Sequence, residues 1–193
     1  LIEPSRIFSG DSYDLRSLTR SRELLIQNRT ELKNKIHHLL DAASIRLSSV
    51  FSDLFGKAGI IVLTGILHGE SLEKIIASLP KKEKRKASAI SAALPATIPQ
   101  NTLFLLQSYL KLVDDLTHEV QLIEENIRES LTDKSREFQI LTSIPGVGFI
   151  GASTLIAEIG NVRDFENADK LAKWAGLTPA VYQSANVTRT GAI

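Results

Sequence analysis

Residues Leu141 to Ile156 read Leu-Thr-Ser-Ile-Pro-Gly-Val-Gly-Phe-Ile-Gly-Ala-Ser-Thr-Leu-Ile, and their types and spacing point to chemistry more clearly than any other stretch. Ile144 closes an apolar run, Pro145 bars a helix from continuing, and Gly146 and Gly148 allow a turn that a partner can approach closely. Ala152, Leu155 and Ile156 then resume helical spacing. Gly146, Val147 and Gly148 can offer unobstructed backbone N–H groups, and the following helix adds its own N-terminal N–H groups and positive dipole end. Such a turn grips a phosphate without reading base sequence. It also fits an αα-hairpin whose Pro-Gly corner merely packs two helices.

The second candidate is the run Lys81, Lys82, Glu83, Lys84, Arg85, Lys86, the densest positive stretch in the chain. Clustered Lys81, Lys82, Lys84, Arg85 and Lys86 could contact a phosphate backbone, and a solvated helix start explains the run equally well. The net charge of +1 is too small to argue nucleic-acid binding from the whole chain, so the case rests on local patches. No cysteine is present, which excludes disulfides and thiolate metal sites. His37, His38, His68 and His118 make no zinc pattern, because adjacent His37 and His38 diverge around a helix.

Long helices must position these groups. Asp11, Ser12 and Asp14 supply a helix start after the lead-in Leu1 to Gly10. Leu18, Leu25, Leu32 and Leu39 then fall seven apart with Leu15 and Ile36 interleaved, which predicts a coiled-coil seam with Arg22 and Arg29 at its other positions. Those arginines argue for an antiparallel partner, or for an acidic or phosphate-bearing surface, or are snorkelling side chains beside an apolar stripe. Glycines 56, 59 and 65 within Phe51 to Leu67 predict a short, closely packed helix, and Ser71 to Leu79 a small amphipathic one. Past Pro95 and Pro99 a second long helix begins near Asn101, carrying Leu103, Leu106, Leu110, Val113, Val120 and Ile127. The two long helices should pack antiparallel around a tip, with a dimer through the same faces as the competing arrangement. A short helix from Asn167 to Trp174 and a loop or strand near Val181, Tyr182 and Val187 complete the chain.

No apolar run approaches the roughly 20 residues of a membrane span. No signal peptide opens the sequence, which begins at Leu1 and contains no methionine; the expectation is a fragment of a longer protein.

Two resemblances follow from these residues. The Pro145-Gly146-Val147-Gly148 frame resembles the helix-hairpin-helix motif of DNA repair and recombination proteins, in which the hairpin grips phosphates. More broadly, Arg29 to His37, Ile144 to Gly148, and Ala168 to Pro179 with Ala-Gly-Leu-Thr-Pro at 175–179 together resemble the transposases of the insertion sequence one-ten family. That family carries a ribonuclease-H-like domain with four metal-binding acids, a coiled-coil linker and a C-terminal domain with a serine nucleophile, and its members are guided by a structured RNA. The resemblance makes this chain the linker and the start of the C-terminal domain, with the acidic domain upstream of Leu1. It implies Ser184 as nucleophile and Arg189 as the cation that steadies the phosphorane. Gln183, Ala185 and Val187 depart from the family pattern around that serine.

The expected fold is mainly α: long antiparallel coiled-coil helices with a helical tip, then a helix-hairpin-helix subdomain and a short loop or strand. Residues 1–134 form the linker with a tip at about 50–98, and 135–193 the truncated transposase domain. The expected function is DNA binding and strand exchange in the full-length protein, the fragment alone being inactive; the alternative is a non-enzymatic coiled-coil and DNA-binding module. No cofactor is expected in this chain, and magnesium is expected in the upstream domain. DNA, a guide RNA and a second or further copies of the chain are the expected partners, in a prokaryotic cytoplasm near the nucleoid and away from membranes.

Overall fold

The computed structural model describes residues 10–131, 135–177, 181–184 and 187–190, of which 11, 135 and the last two segments are described through their backbones alone. The fold is mainly α. Two compact units are present, one of Ser17–Asp133 and the other of the described residues within Leu1–Arg16 and Lys134–Ile193.

The first unit is framed by α1 (Gly10–Ala42), most of which it contains, and α5 (Gln100–Ser130). Pro99 is the cap that starts α5, as expected of a residue with fixed φ and no N–H to lose. Arg22 Nε donates to Glu124 Oε1 at 2.8 Å and Arg29 Nη1 to Thr117 Oγ1 at 3.3 Å. Seven residues up α1 thus correspond to seven residues down α5, which makes the pair antiparallel. Buried Leu106, Val113, Val120 and Ile127 fall seven apart along α5.

On α1 the expected column of Leu15, Arg22, Arg29 and Ile36 faces inward, with Leu15 and Ile36 buried, while the leucine column differs by one residue at its two ends. Thr19, Ile36 and Leu40 are buried, whereas Leu18, Leu25, Leu32 and Leu39 are only half-buried. The inward line runs through Leu15, Thr19, Arg22, Arg29, Ile36 and Leu40, and between them Leu25 and Ile26, like Leu32 and Lys33, are equally half-buried. Leu18 and Leu39 flank it. They widen the apolar face instead of forming its centre.

Between the long helices lie α2 (Lys57–Leu67), α3 (Leu72–Ser78) and α4 (Ala87–Ala93). Their apolar faces share one core with Ile36, Leu40, Leu106 and Val113. Close packing explains two glycines here: a Cβ at Gly59 would strike the Leu54 backbone carbonyl, and one at Gly65 would lie 2.5 Å from Ile75 Cγ1. Ser71 caps α3 by accepting from the Lys74 N–H at 3.4 Å. The chain leaves α1 through Ser44 at φ 60°, and the Arg46 N–H then donates to the Ala93 carbonyl at 2.9 Å.

The second unit holds α6 (Ser135–Thr142), α7 (Phe149–Ile159), α8 (Ala168–Trp174) and an antiparallel pair, β1 (Val181–Ser184) with β2 (Val187–Thr190). Ala152, Ser153, Ile156 and Ala157 form the buried side of α7. Gly160 at φ 62° ends that helix, as the left-handed conformation favours. Asn167 opens α8 by accepting from the Lys170 N–H at 3.0 Å. Within this unit Arg16 pairs with Glu158 at 2.8 Å.

Candidate nucleic-acid interface

Helices α6 and α7 pack together, with the rings of Phe138 and Phe149 in edge contact at 5.7 Å. The turn between them projects outward: Ser143, Ile144, Pro145, Gly146 and Gly148 are all exposed. Its shape is held locally, since the Val147 N–H donates to the Ile144 carbonyl at 3.0 Å and the Ala152 N–H to the Gly148 carbonyl at 2.9 Å. Val147 therefore spends its N–H inside the turn. Gly148 is the cap of α7, and the first-turn N–H groups of a helix have no acceptor within it.

The two glycines have different physical grounds. Gly146 sits at φ 89°, where any side chain is strained. Gly148 sits at φ −86° in extended backbone, and a Cβ there would meet nothing within 4 Å. Neither conformation nor internal packing requires glycine at 148. Its bareness leaves the backbone open to an external group at the positive end of α7.

Among the basic residues, Lys81, Lys82, Lys84 and Arg85 are exposed on the turn and short 3-10 segment that lead into α4. Lys86 is engaged internally: its Nζ lies 2.8 Å from Glu83 Oε2 and 5.1 Å from the centroid of the Phe51 ring. The hydrogen bond from Lys86, with the neighbouring positive charges, holds the Glu83 carboxyl below its ordinary range. Four cations of the run are left to face solvent.

Ser184 and Arg189 are described through their backbones alone. Register sets Ser184 opposite Val187 and Arg189 opposite Tyr182, so the serine and the arginine are a diagonal pair on adjacent strands. Among the described residues, no three His, Asp or Glu side chains stand close enough to hold a metal ion. No helix there is long and apolar enough to cross a membrane.

Two features of this unit lie outside the sequence reading. One is a largely apolar cavity of about 650 Å³, walled by Ile140, Leu141, Ile156, Ile159 and Leu171 with Glu137 and Arg163 among its polar lining. The other is Trp174, nearly half exposed (46%) and set edge-on to Phe165 at 5.5 Å. Sequence marks Trp174 only as the last residue of a short helix; its exposure depends on tertiary packing.

The family model described as "Transposase IS116/IS110/IS902 family" matches residues 138–193, a span that takes in the turn, α7, α8 and the strand pair. The chain is 27% identical over 190 residues to "Insertion element IS116 uncharacterized 44.8 kDa protein" of Streptomyces clavuligerus, covering 92% of this chain and 47% of that protein. It is likewise 27% identical to "Insertion element IS900 uncharacterized 42 kDa protein" of Mycobacterium paratuberculosis, covering 97% of this chain and 50% of the relative. A Pseudomonas aeruginosa protein named "Probable family 20 transposase" is 25% identical, covering 96% of this chain and 46% of its own length. The chain thus spans about half the length of the curated relatives it matches. No solved structure gives a significant match. The resemblance to insertion-sequence transposases seen in the residues is the one these matches find.

Proposed function

We propose that this chain is the linker and the opening part of the C-terminal domain of a DNA transposase, which grips the DNA backbone through the turn at Gly146–Gly148 and exchanges strands through Ser184. The observation that carries this reading is the coincidence of two facts. The stretch matched to the transposase family contains an outward-facing turn, and that turn carries a glycine at 148 that neither its φ nor the packing around it requires. In this reading α6, the turn and α7 act as a helix-hairpin-helix: backbone N–H groups and the dipole of α7 meet a phosphate, which positions DNA without specifying sequence.

Strand exchange then needs a nucleophile. The Ser184 Oγ attacks phosphorus, a phosphoserine ester forms as the strand oxygen departs, and the hydroxyl proton passes to that oxygen by way of a base. Attack by a second strand's hydroxyl reverses the step, restores the serine and conserves the bond energy. Arg189, diagonal to Ser184 in the strand register, steadies the charge on the phosphorane. The metal-binding acids implied by the resemblance would come from upstream of Leu1. The paired long helices serve as the coiled-coil element that joins subunits, with a guide RNA as a further partner.

The test uses the full-length parent protein and asks whether target DNA becomes covalently attached to it, with and without Ser184→Ala. Attachment that disappears in the variant is the expected result. Attachment that persists assigns the nucleophile to another residue. Absence of attachment in both, with DNA binding retained, makes the chain a non-enzymatic DNA-binding module.

A further inference from the structure

Strand exchange leaves bases without partners while strands are open, and an unpaired base needs an apolar face to replace its lost stacking. Trp174 offers one. It is the only tryptophan of the chain, it ends α8, and nearly half of it is exposed (46%) although it is the largest apolar side chain available for a core. Burial would be the default for such a residue. Its ring is also braced, by the edge contact to Phe165 at 5.5 Å with the planes at 61°. The helix beneath is fixed at both ends, by the Asn167 cap and by Gly176 at φ 72°.

The charges nearby in sequence balance, three cations against three acids, and it is their placement on α8 that favours a polyanion at the ring. Lys170 precedes Trp174 by four residues and so shares its face of α8, and helical side chains lean toward the N-terminus, over that lysine's turn. Lys170 and Lys173 are exposed, and Arg163 is exposed on the 3-10 turn before α8. The acids nearby are Asp164, Glu166 and Asp169; on α8 itself, Asp169 lies well around the helix from Trp174. An exposed, braced aromatic ring with a cation on its own face is the arrangement by which proteins hold unpaired bases regardless of sequence: the ring stacks on the base, and the cations follow the backbone.

We infer that Trp174, braced by Phe165 and flanked by Lys170 and Lys173, is a stacking platform for an unpaired nucleobase. This rests on the reading of the chain as a DNA strand-exchange protein, and adds to it a site for single-stranded bases separate from the phosphate-gripping turn.

Because Trp174 is the sole tryptophan, its fluorescence reports on that ring directly. The experiment titrates the 193-residue chain with three probes, each labelled for anisotropy as well: a single-stranded oligonucleotide, an abasic strand of equal length, and a duplex. Stacking predicts that the single strand quenches the emission and the abasic strand, with the same phosphates, does not. Trp174→Ala should bind the single strand about tenfold more weakly, the scale of one lost base–aromatic stack, while binding duplex nearly as before. Trp174→Phe keeps a ring and should retain most of the affinity, which separates stacking from a folding defect. Equal quenching by the abasic strand, or unchanged single-strand binding by Trp174→Ala, overturns the inference while leaving the phosphate grip standing. Single-strand quenching that survives in Gly148→Val, together with duplex binding equal to wild type, removes the role of the turn and leaves the platform.

Discussion

Gly146 and Gly148 sit two residues apart in one turn, yet the backbone asks different things of them. At Gly146, φ 89° makes any side chain strained, so Gly146→Val should lower stability by about 1–3 kcal/mol in addition to any effect on binding. At Gly148 the backbone suits any residue and the space is open. Two small terms oppose each other there: a non-glycine residue restricts the unfolded chain, and a poor capping residue weakens the start of α7. They are of similar size, within about 1 kcal/mol, so Gly148→Val should leave the melting temperature nearly unchanged. What it adds is bulk where a phosphate would approach. The expected outcome is weaker duplex binding at unaltered stability, read by anisotropy and thermal melting on the same sample. Unaltered affinity would mean that the turn only joins two helices. The sequence made both glycines visible and could not tell them apart, because the distinction lies in φ and in the space around each Cβ.

At the scale of elements, prolines and helical periodicity were legible and registry was not. Pro99 begins α5 within a residue of the expected start, and Pro145 falls in the turn that separates α6 from α7. Helix α8 also follows from the sequence, the expected first residue Asn167 being its cap. The exit from α1 was hidden, because the residue that adopts φ 60° is Ser44, with neither glycine nor proline to mark it. The column of Leu15, Arg22, Arg29 and Ile36 lies where the heptads put it, and the leucine column shifts by one residue at its ends, to Thr19 and Leu40, for an instructive reason. Leucines at seven-residue intervals signal an apolar stripe, but a stripe about three residues wide leaves its midline to be chosen by the partner. Contacts of Arg22 with Glu124 and of Arg29 with Thr117 hold those two expected positions against α5, and burial of Thr19 and Leu40 sets the other column. Stability should follow the observed line. Leu40→Ala, at a fully buried site, should cost about 2–5 kcal/mol, against roughly 1 kcal/mol for Leu39→Ala at a half-buried flank position. Urea midpoints followed by helical circular dichroism compare the two, and equal losses would restore the leucine seam.

At the scale of the whole molecule, the near-neutral net charge of +1 means that DNA affinity has to arise from local groups, and salt separates their kinds. Cations that neutralise phosphates release counterions, so each one lost should flatten the plot of log affinity against log salt by about 0.9 for duplex DNA. Backbone N–H groups at a turn hold a phosphate without carrying a full charge and displace few counterions. The exposed cations Lys81, Lys82, Lys84 and Arg85 belong to one compact unit and the turn at Gly146–Gly148 to the other, so each can be altered alone. Replacing the four cations by alanine should reduce the slope by up to about 3.6 if all four meet phosphates. Gly148→Val should lower affinity at every salt concentration and leave the slope as it was. A four-alanine variant with the wild-type slope would return the run to a solvated lead-in to α4. Lys86 is the internal control: tied to Glu83 and the Phe51 ring, it should change the slope least when replaced, and its loss should appear in stability instead.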